Sequence, residues 1–218
     1  MGINRYIEHT ILAPDATVGA VEKVIKEAIE YDFLGFCINP NYVDFAKNYL
    51  KDYDKKPKIV TVVNFPLASS NLQTIVFQTA QAVLAGADEI DTVINLSALK
   101  DKNYKKVEED IRETKKACAI APLKVILETD LLTKEEIKIA SEIAANAGAN
   151  FVKTSTGFVK GGVGAKVEDV KLMFETVSEA GLGVKASGGI KTREQALALI
   201  EAGATRLGTS SGVSIQKG

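Results

Sequence analysis

The sequence predicts an α/β protein built as a single (β/α)8 TIM barrel. Three observations lead to this fold: short apolar segments alternate with amphipathic helical segments, the short segments are apolar throughout, and glycine recurs where helices end. Strands that are apolar on both faces belong to a parallel sheet covered on both sides. A length of 218 residues is a normal size for one barrel, so the predicted domain is residues 1–218.

The predicted strands are short runs rich in β-branched residues, each followed by turn-forming residues. They are Tyr6–Thr10, Leu34–Ile38, Ile59–Asn64, Glu89–Ile94, Leu123–Glu128, Phe151–Lys153, Gly183–Lys185 and Arg206–Gly208. Between them lie segments with the apolar spacing of helices, which provide the crossovers that parallel pairing requires. They are Thr17–Tyr31, Asn41–Lys51, Asn71–Ala85, Tyr104–Ala119, Lys134–Ala147, Val167–Ala180 and Arg193–Ala202.

Local signals mark where several of these helices begin and end. Thr133 and Thr192 are predicted N-caps, because each precedes an acidic residue in the first turn. Glycines in the left-handed conformation end helices, and such glycines precede four predicted strands: Gly86, Gly148, Gly181 and Gly203. The main alternative is an open doubly wound sheet, but no Gly-x-Gly-x-x-Gly pattern follows the first strand.

Composition narrows the function classes. A hydrophobic content of 46% with 25% charged residues is typical of a soluble globular protein, and a net charge of −1 argues against nucleic-acid binding. His9 is the single histidine, and Cys37 and Cys118 have no metal or disulfide spacing. No apolar run reaches ~18 residues and no signal peptide is recognisable. We expect a cytoplasmic protein without a metal or a membrane partner.

The strand ends carry the candidate chemistry, because active sites of such barrels lie at the C-terminal ends of the strands. Reading only those positions gives a set rich in ionisable and polar groups. It comprises Glu8, His9, Thr10, Cys37, Asn39, Asn64, Asp91, Asn95, Glu128, Asp130, Lys153 and Lys185. Burial perturbs the pKa of such groups, which favours acid/base chemistry without a cofactor.

Two lysines stand in matching settings, at Phe151-Val152-Lys153-Thr154-Ser155-Thr156-Gly157 and Gly183-Val184-Lys185-Ala186-Ser187-Gly188-Gly189. If they face each other, their repulsion lowers the pKa of at least one ammonium. A lysine that is neutral near pH 7 forms a Schiff base with a carbonyl. The alternative is that one or both lysines only pair with a phosphate or a buried carboxylate.

A second candidate site lies after the last two strands, at Gly188-Gly189 and Gly208-Thr209-Ser210-Ser211-Gly212. Glycines expose backbone N–H groups, and a short helix is predicted to begin near Ser210. Many barrels bind phosphate with these two loops. The alternative is that the glycines only form tight turns.

In these segments the chain resembles the deoxyribose-phosphate aldolase family, class I aldolases that act on 2-deoxy-D-ribose 5-phosphate. The resemblance implies that Lys153 is the Schiff-base lysine, Lys185 the cation that keeps it unprotonated, and Asp91 the acid/base partner. It rests on Ile7–Leu12, Glu89–Asn95, Leu123–Thr129, Phe151–Phe158, Gly183–Ile190 and Gly208–Gly212.

The resemblance also implies which residues bind the substrate: Glu8, Cys37, Thr154, Gly157, Gly188, Gly189, Ser210 and Ser211. The chain departs from the family pattern in four places. Glu8 stands where the family usually has aspartate, Ala13 where it has lysine, and Asn64-Phe65-Pro66-Leu67-Ala68 where it has Gly-Phe-Pro-Leu-Gly. The segment Val159–Lys166 is longer than usual.

The implied reaction is reversible, cofactor-free cleavage of 2-deoxy-D-ribose 5-phosphate to D-glyceraldehyde 3-phosphate and acetaldehyde, in deoxyribonucleotide catabolism and carbohydrate degradation. We expect a homo-oligomer, either a dimer or a tetramer. Two rivals remain. One is another barrel enzyme on a sugar phosphate, such as a different class I aldolase or an epimerase. The other is a non-enzymatic binding protein on the same fold.

Overall fold

The computed structural model describes residues 2–218 and shows the predicted (β/α)8 barrel. Eight parallel strands pair in chain order, and the last pairs with the first to close the sheet. The strands are β1 (Ile7–Ile11), β2 (Gly35–Ile38), β3 (Lys58–Val63), β4 (Glu89–Val93), β5 (Leu123–Ile126), β6 (Phe151–Lys153), β7 (Gly183–Ser187) and β8 (Arg206–Thr209). Met1, part of the predicted domain 1–218, lies outside the described residues.

The helices surround the strands, and each predicted helix is present with ends shifted by no more than a few residues. They are α1 (Val18–Glu30), α2 (Val43–Leu50), α3 (Leu72–Ala85), α4 (Leu96–Lys100), α5 (Tyr104–Ala117), α6 (Lys134–Asn146), α7 (Val167–Val177), α8 (Arg193–Glu201) and α9 (Gly212–Lys217). Helix α9 follows Ser211, close to the predicted start near Ser210. The sequence did not predict α4, which Asn95 caps by accepting a hydrogen bond from Ala98 N–H.

Capping explains why the helices begin and end where they do. Thr133 and Thr192 both form capping boxes, with Glu136 and Gln195 returning the bond to the cap backbone. Four glycines close helices with φ values between 77° and 111°, where a side chain would be strained: Gly86, Gly148, Gly181 and Gly203. The predicted threonine N-caps and the predicted helix-ending glycines are both confirmed.

The apolar core has two parts. The larger part lies between the strands and the helices. The smaller part lies on the β1–β3 side of the barrel interior and consists of Leu12, Cys37, Val60 and Val62, with Phe65 packed against it. Cys118 is buried among apolar residues. Among the described residues, no helix is both long and apolar enough to cross a membrane.

Candidate active site

Asp91 lies at the centre of a buried network of lysines inside the barrel. Its Oδ2 accepts hydrogen bonds from Lys153 Nζ at 2.8 Å and Lys185 Nζ at 2.7 Å. Its Oδ1 accepts from Lys124 Nζ at 3.1 Å. The side chains are at most 4% exposed, so these charges interact with little screening by water. Strand β4 thus carries the carboxylate, and β5, β6 and β7 each direct one lysine toward it.

Two more carboxylates lie in the network. Glu8 pairs with Lys185 and lies 3.5 Å from Lys124 Nζ, and Glu89 lies 2.6 Å from the same Nζ. Arg206 approaches Glu8 at 3.6 Å and Glu89 at 3.8 Å. Four interior cations therefore share three carboxylates, and Lys153 contacts a carboxylate that two other lysines already neutralise.

The network shifts the pKa of its members in opposite directions. Burial alone would raise the pKa of Asp91, but Lys124, Lys153 and Lys185 outweigh it and hold that pKa well below its usual range. Burial alone would lower the pKa of Lys185, but Asp91 and Glu8 raise it instead. The pKa of Lys124 is also raised, because the carboxylates outweigh its burial. Asp91 is therefore ionised, and Lys124 and Lys185 are protonated.

A cavity of ≈ 390 Å³ opens above the network at the C-terminal ends of the strands. Lys153 is the member of the network that lines it. The other lining residues are Thr10, Leu12, Ala13, Pro14, Ser155, Thr156, Gly157, Phe158, Ser187, Gly188, Gly189, Ile190, Lys191, Gly208, Thr209 and Ser210. One amine at the floor and glycine-rich loops on the wall suit a small carbonyl compound with an anionic group.

Comparison with known proteins assigns the family. Residues 6–217 match the family described as DeoC/LacD family aldolase. The chain belongs to this family. The deoxyribose-phosphate aldolase of Streptococcus sanguinis is 51% identical over 218 residues, which cover 100% of this chain and 97% of that protein. The namesake enzyme of Finegoldia magna is 50% identical over 218 residues and covers 100% of both chains.

A solved structure shares the architecture. It is described as the deoxyribose phosphate aldolase of Aeropyrum pernix with a unique tetrameric structure, and its TM-score is 0.87 at 31% identity over 99% of this chain and 89% of that one. The family predicted from the sequence is thus confirmed, and the chain is an aldolase, a lyase.

Four of the predicted substrate-binding residues of this aldolase line the cavity: Gly157, Gly188, Gly189 and Ser210. Four others are absent from the lining. Glu8 is buried against Lys185, and Cys37 is buried in the apolar cluster, where burial raises the pKa of its thiol to about 11. The Thr154 hydroxyl is engaged with the backbone of Ser187. Ser211 takes the N-cap position of α9 without a side-chain capping bond, and it does not line the cavity.

Several strand-end residues predicted to face the interior hold the surrounding structure instead. His9 points outward, with its Nε2 2.7 Å from Glu27 Oε2 on α1. Alternate residues of a strand face opposite sides, so an inward Glu8 requires an outward His9. Asn39 donates to Ala13 O, Asn64 accepts from Ser70 N–H, and Asn95 caps α4.

The predicted set lacked Lys124, Glu89 and Arg206. A signal for Lys124 was present: it interrupts the otherwise apolar run Leu123-Lys124-Val125-Ile126, where an isolated ammonium is costly. Glu89 and Arg206 are the first residues of their strands, and nothing in the sequence distinguishes them from ordinary charged surface residues. Within residues 2–218, no group of three or more His, Cys, Asp or Glu is arranged to hold a metal ion.

Proposed function

We propose that this aldolase cleaves 2-deoxy-D-ribose 5-phosphate reversibly to D-glyceraldehyde 3-phosphate and acetaldehyde through an imine on Lys153. One observation carries the proposal. Lys153 is the network lysine that lines the cavity, and among the described residues the only carboxylate it contacts is Asp91, which Lys124 and Lys185 also contact. An amine that reaches the cavity and shares its carboxylate with two other cations is the one placed to attack a substrate carbonyl.

In the proposed mechanism, neutral Lys153 attacks the C1 aldehyde and water leaves to give an iminium. The proton of the C3 hydroxyl is removed as the C2–C3 bond breaks, so that C3 becomes the aldehyde of D-glyceraldehyde 3-phosphate, and the C1 iminium accepts the electrons as an enamine. Asp91 does not line the cavity, so we assign this proton transfer to a water that Asp91 and Lys185 polarise. Protonation and hydrolysis of the enamine release acetaldehyde and restore the amine.

The glycine-rich wall is the proposed phosphate end of the cavity. Gly188, Gly189 and Ser210 supply backbone and hydroxyl donors there, and Lys191 supplies a cation. Lys191 lines the cavity, whereas Lys160 does not. Ala13 lines it where the family usually has lysine, so the backbone donors and Lys191 carry more of the phosphate binding here.

Borohydride reduction in the presence of acetaldehyde tests the proposal, with intact mass and peptide mapping as readouts. We expect a reduced two-carbon adduct on Lys153 alone. Lys153→Ala should lose the adduct and at least about 10³-fold of cleavage activity, as expected for a missing nucleophile, whereas Lys160→Ala should keep both. An epimerase forms no imine, and a binding protein shows no turnover. An adduct on another lysine would refute the assignment.

We also propose a homo-oligomer in the cytoplasm. Helix α3 carries no charged residue, and Phe77 and Leu84 on it are 65% and 75% exposed, next to Leu67 at 79%. An exposed apolar patch of this kind marks an interaction site, and symmetric self-association is its commonest use. The two free, buried cysteines fit a reducing compartment. The Aeropyrum pernix relative is described as a tetramer.

A further inference from the structure

The segment between β6 and α7 has no helix or strand and forms one side of the cavity through Ser155 to Phe158. Its later part, Val159–Lys166, is the stretch that exceeds the family pattern. Gly157, Gly161 and Gly164 have φ values of 83°, 75° and 83°, which let the chain fold back over the barrel end. The fold-back brings its far end onto the loop after β7.

There the two loops meet backbone to backbone. Ala165 N–H donates to Gly188 O at 3.0 Å. A Cβ at Gly164 would lie 2.4 Å from the carbonyl of Gly188, and one at Gly189 would lie 2.4 Å from Val163 O. No side chain fits between them, so a shift of either loop displaces the other. The position of Gly164 therefore controls Gly188 and Gly189.

Asp130 holds Gly164 in place from outside the cavity. It lies in the turn after β5, its side chain is 7% exposed, and its Oδ2 accepts the Gly164 N–H at 2.7 Å. The same oxygen would be 2.7 Å from a Cβ at Gly162, and Oδ1 lies 3.3 Å from Lys166 Nζ. Asp130 does not line the lysine cavity, but it lines a small adjoining cavity of ≈ 70 Å³ together with Gly157, Gly188 and Gly189.

We propose that Asp130 is a positioning residue for the phosphate end of this aldolase. Its carboxylate holds Gly164 against Gly188, and this contact orients the Gly188 and Gly189 N–H groups toward a phosphate. The segment has no helix or strand to hold it in place, and Asp130 anchors it with a charge-assisted hydrogen bond. The inference rests on the proposed function, because it assumes that these glycines bind phosphate.

Two readouts test the role of Asp130: calorimetric titration with inorganic phosphate, and the Michaelis constants for 2-deoxyribose 5-phosphate and 2-deoxyribose. We expect Asp130→Ala to raise the phosphate Kd and the KM for the phosphorylated sugar about tenfold, the equivalent of one hydrogen bond to a charged group. The KM for 2-deoxyribose and the trapping of acetaldehyde on Lys153 should change less than about twofold, because neither ligand reaches the glycine loop.

Two variants separate positioning from general damage. Asp130→Asn keeps an oxygen for the Gly164 N–H and should restore most of the phosphate affinity. Lys166→Met removes only a partly exposed ion pair and should remain within about twofold of wild type.

An unchanged phosphate Kd in Asp130→Ala would overturn the role, as would an equal loss with both sugars or a wild type that does not bind phosphate. If wild type binds phosphate but fails to trap acetaldehyde, the proposed reaction falls while the phosphate titration still decides the role of Asp130.

Discussion

At the scale of single residues, the chemistry of the site depends on the balance of positive and negative side chains buried inside the barrel. Asp91 alone receives three ammonium groups, and the two further carboxylates also contact Arg206. A buried charge without a partner is strongly unfavourable. Four cations therefore face three carboxylates in this network, and Lys153 is the cation that also meets the cavity.

Lys185→Leu tests this charge count through the pH dependence of activity. The pKa of Lys185 is raised, so it remains a cation throughout the working range, and it shares Asp91 Oδ2 with Lys153. Removing a cation beside an amine favours the protonated, non-nucleophilic form of that amine. We therefore expect cleavage to fall about 100-fold near pH 7 and to recover toward about tenfold below wild type near pH 10.

Lys124→Leu is the matched control for Lys185→Leu. Lys185 and Lys153 share Oδ2 of Asp91, whereas the equally buried Lys124 contacts Oδ1. Because Lys124 does not share an oxygen with Lys153, the activity lost in Lys124→Leu should recover less at alkaline pH. A deficit in Lys185→Leu that stays constant from pH 7 to pH 10 would assign Lys185 to positioning or proton transfer.

At the scale of elements, strand and helix types followed from periodicity, but side-chain direction at the strand ends did not. Glu8, His9 and Thr10 all looked available in the sequence, and only the register decides that His9 faces α1. A shift of one residue reverses which side chains face inward.

Glu128 was predicted to end a strand. It instead begins a turn, with a φ of 60°, and its carboxylate accepts a hydrogen bond from Thr156 N–H. The lysine pair was predictable, because the two residues lie in strands of similar sequence, although β7 continues past Lys185 to Ser187.

The loop after β3 holds two residues in the left-handed region. Asn64 and Ala68 have positive φ values, 51° and 53°. Asparagine tolerates this region, whereas alanine is strained there by roughly 1–2 kcal/mol. Ala68 therefore stores strain in a loop outside the lysine cavity.

Ala68→Gly is expected to stabilise the protein. Relief of the left-handed strain exceeds the added entropy of the unfolded chain, so the free energy of unfolding should rise by about 0.5–1 kcal/mol. Urea unfolding followed by circular dichroism measures it. Ala80→Gly, in the interior of α3, is the control and should lower the same free energy by about 1 kcal/mol. A less stable Ala68→Gly would show that the alanine makes contacts worth more than the strain.

At the scale of the whole molecule, the proposed chemistry and the proposed self-association lie in different parts of the barrel. The lysine network and its cavity lie inside the ring of strands, while α3 lies on its outer surface. Among the α-helices of residues 2–218, α3 alone has no charged residue. Its exposed Phe77 and Leu84 are one heptad apart and therefore share a face, and Leu67 lines the same surface cavity as Phe77. A second copy can meet this face of α3 across a two-fold axis without burying a charged residue of the helix.

Phe77→Lys should convert the proposed oligomer toward monomers. In a two-fold interface the substitution removes two aromatic contacts and places two ammonium groups in an apolar contact, so we expect the dissociation constant to rise at least about 100-fold. Sedimentation velocity over a concentration series measures it.

Leu197→Lys on α8 is the control: it replaces a side chain that is 48% exposed and should leave the assembly intact. No residue of α3 lines the lysine cavity, so monomeric Phe77→Lys should still trap acetaldehyde on Lys153. A wild-type monomer at micromolar concentration, or an unchanged assembly in Phe77→Lys, would remove α3 as the interface.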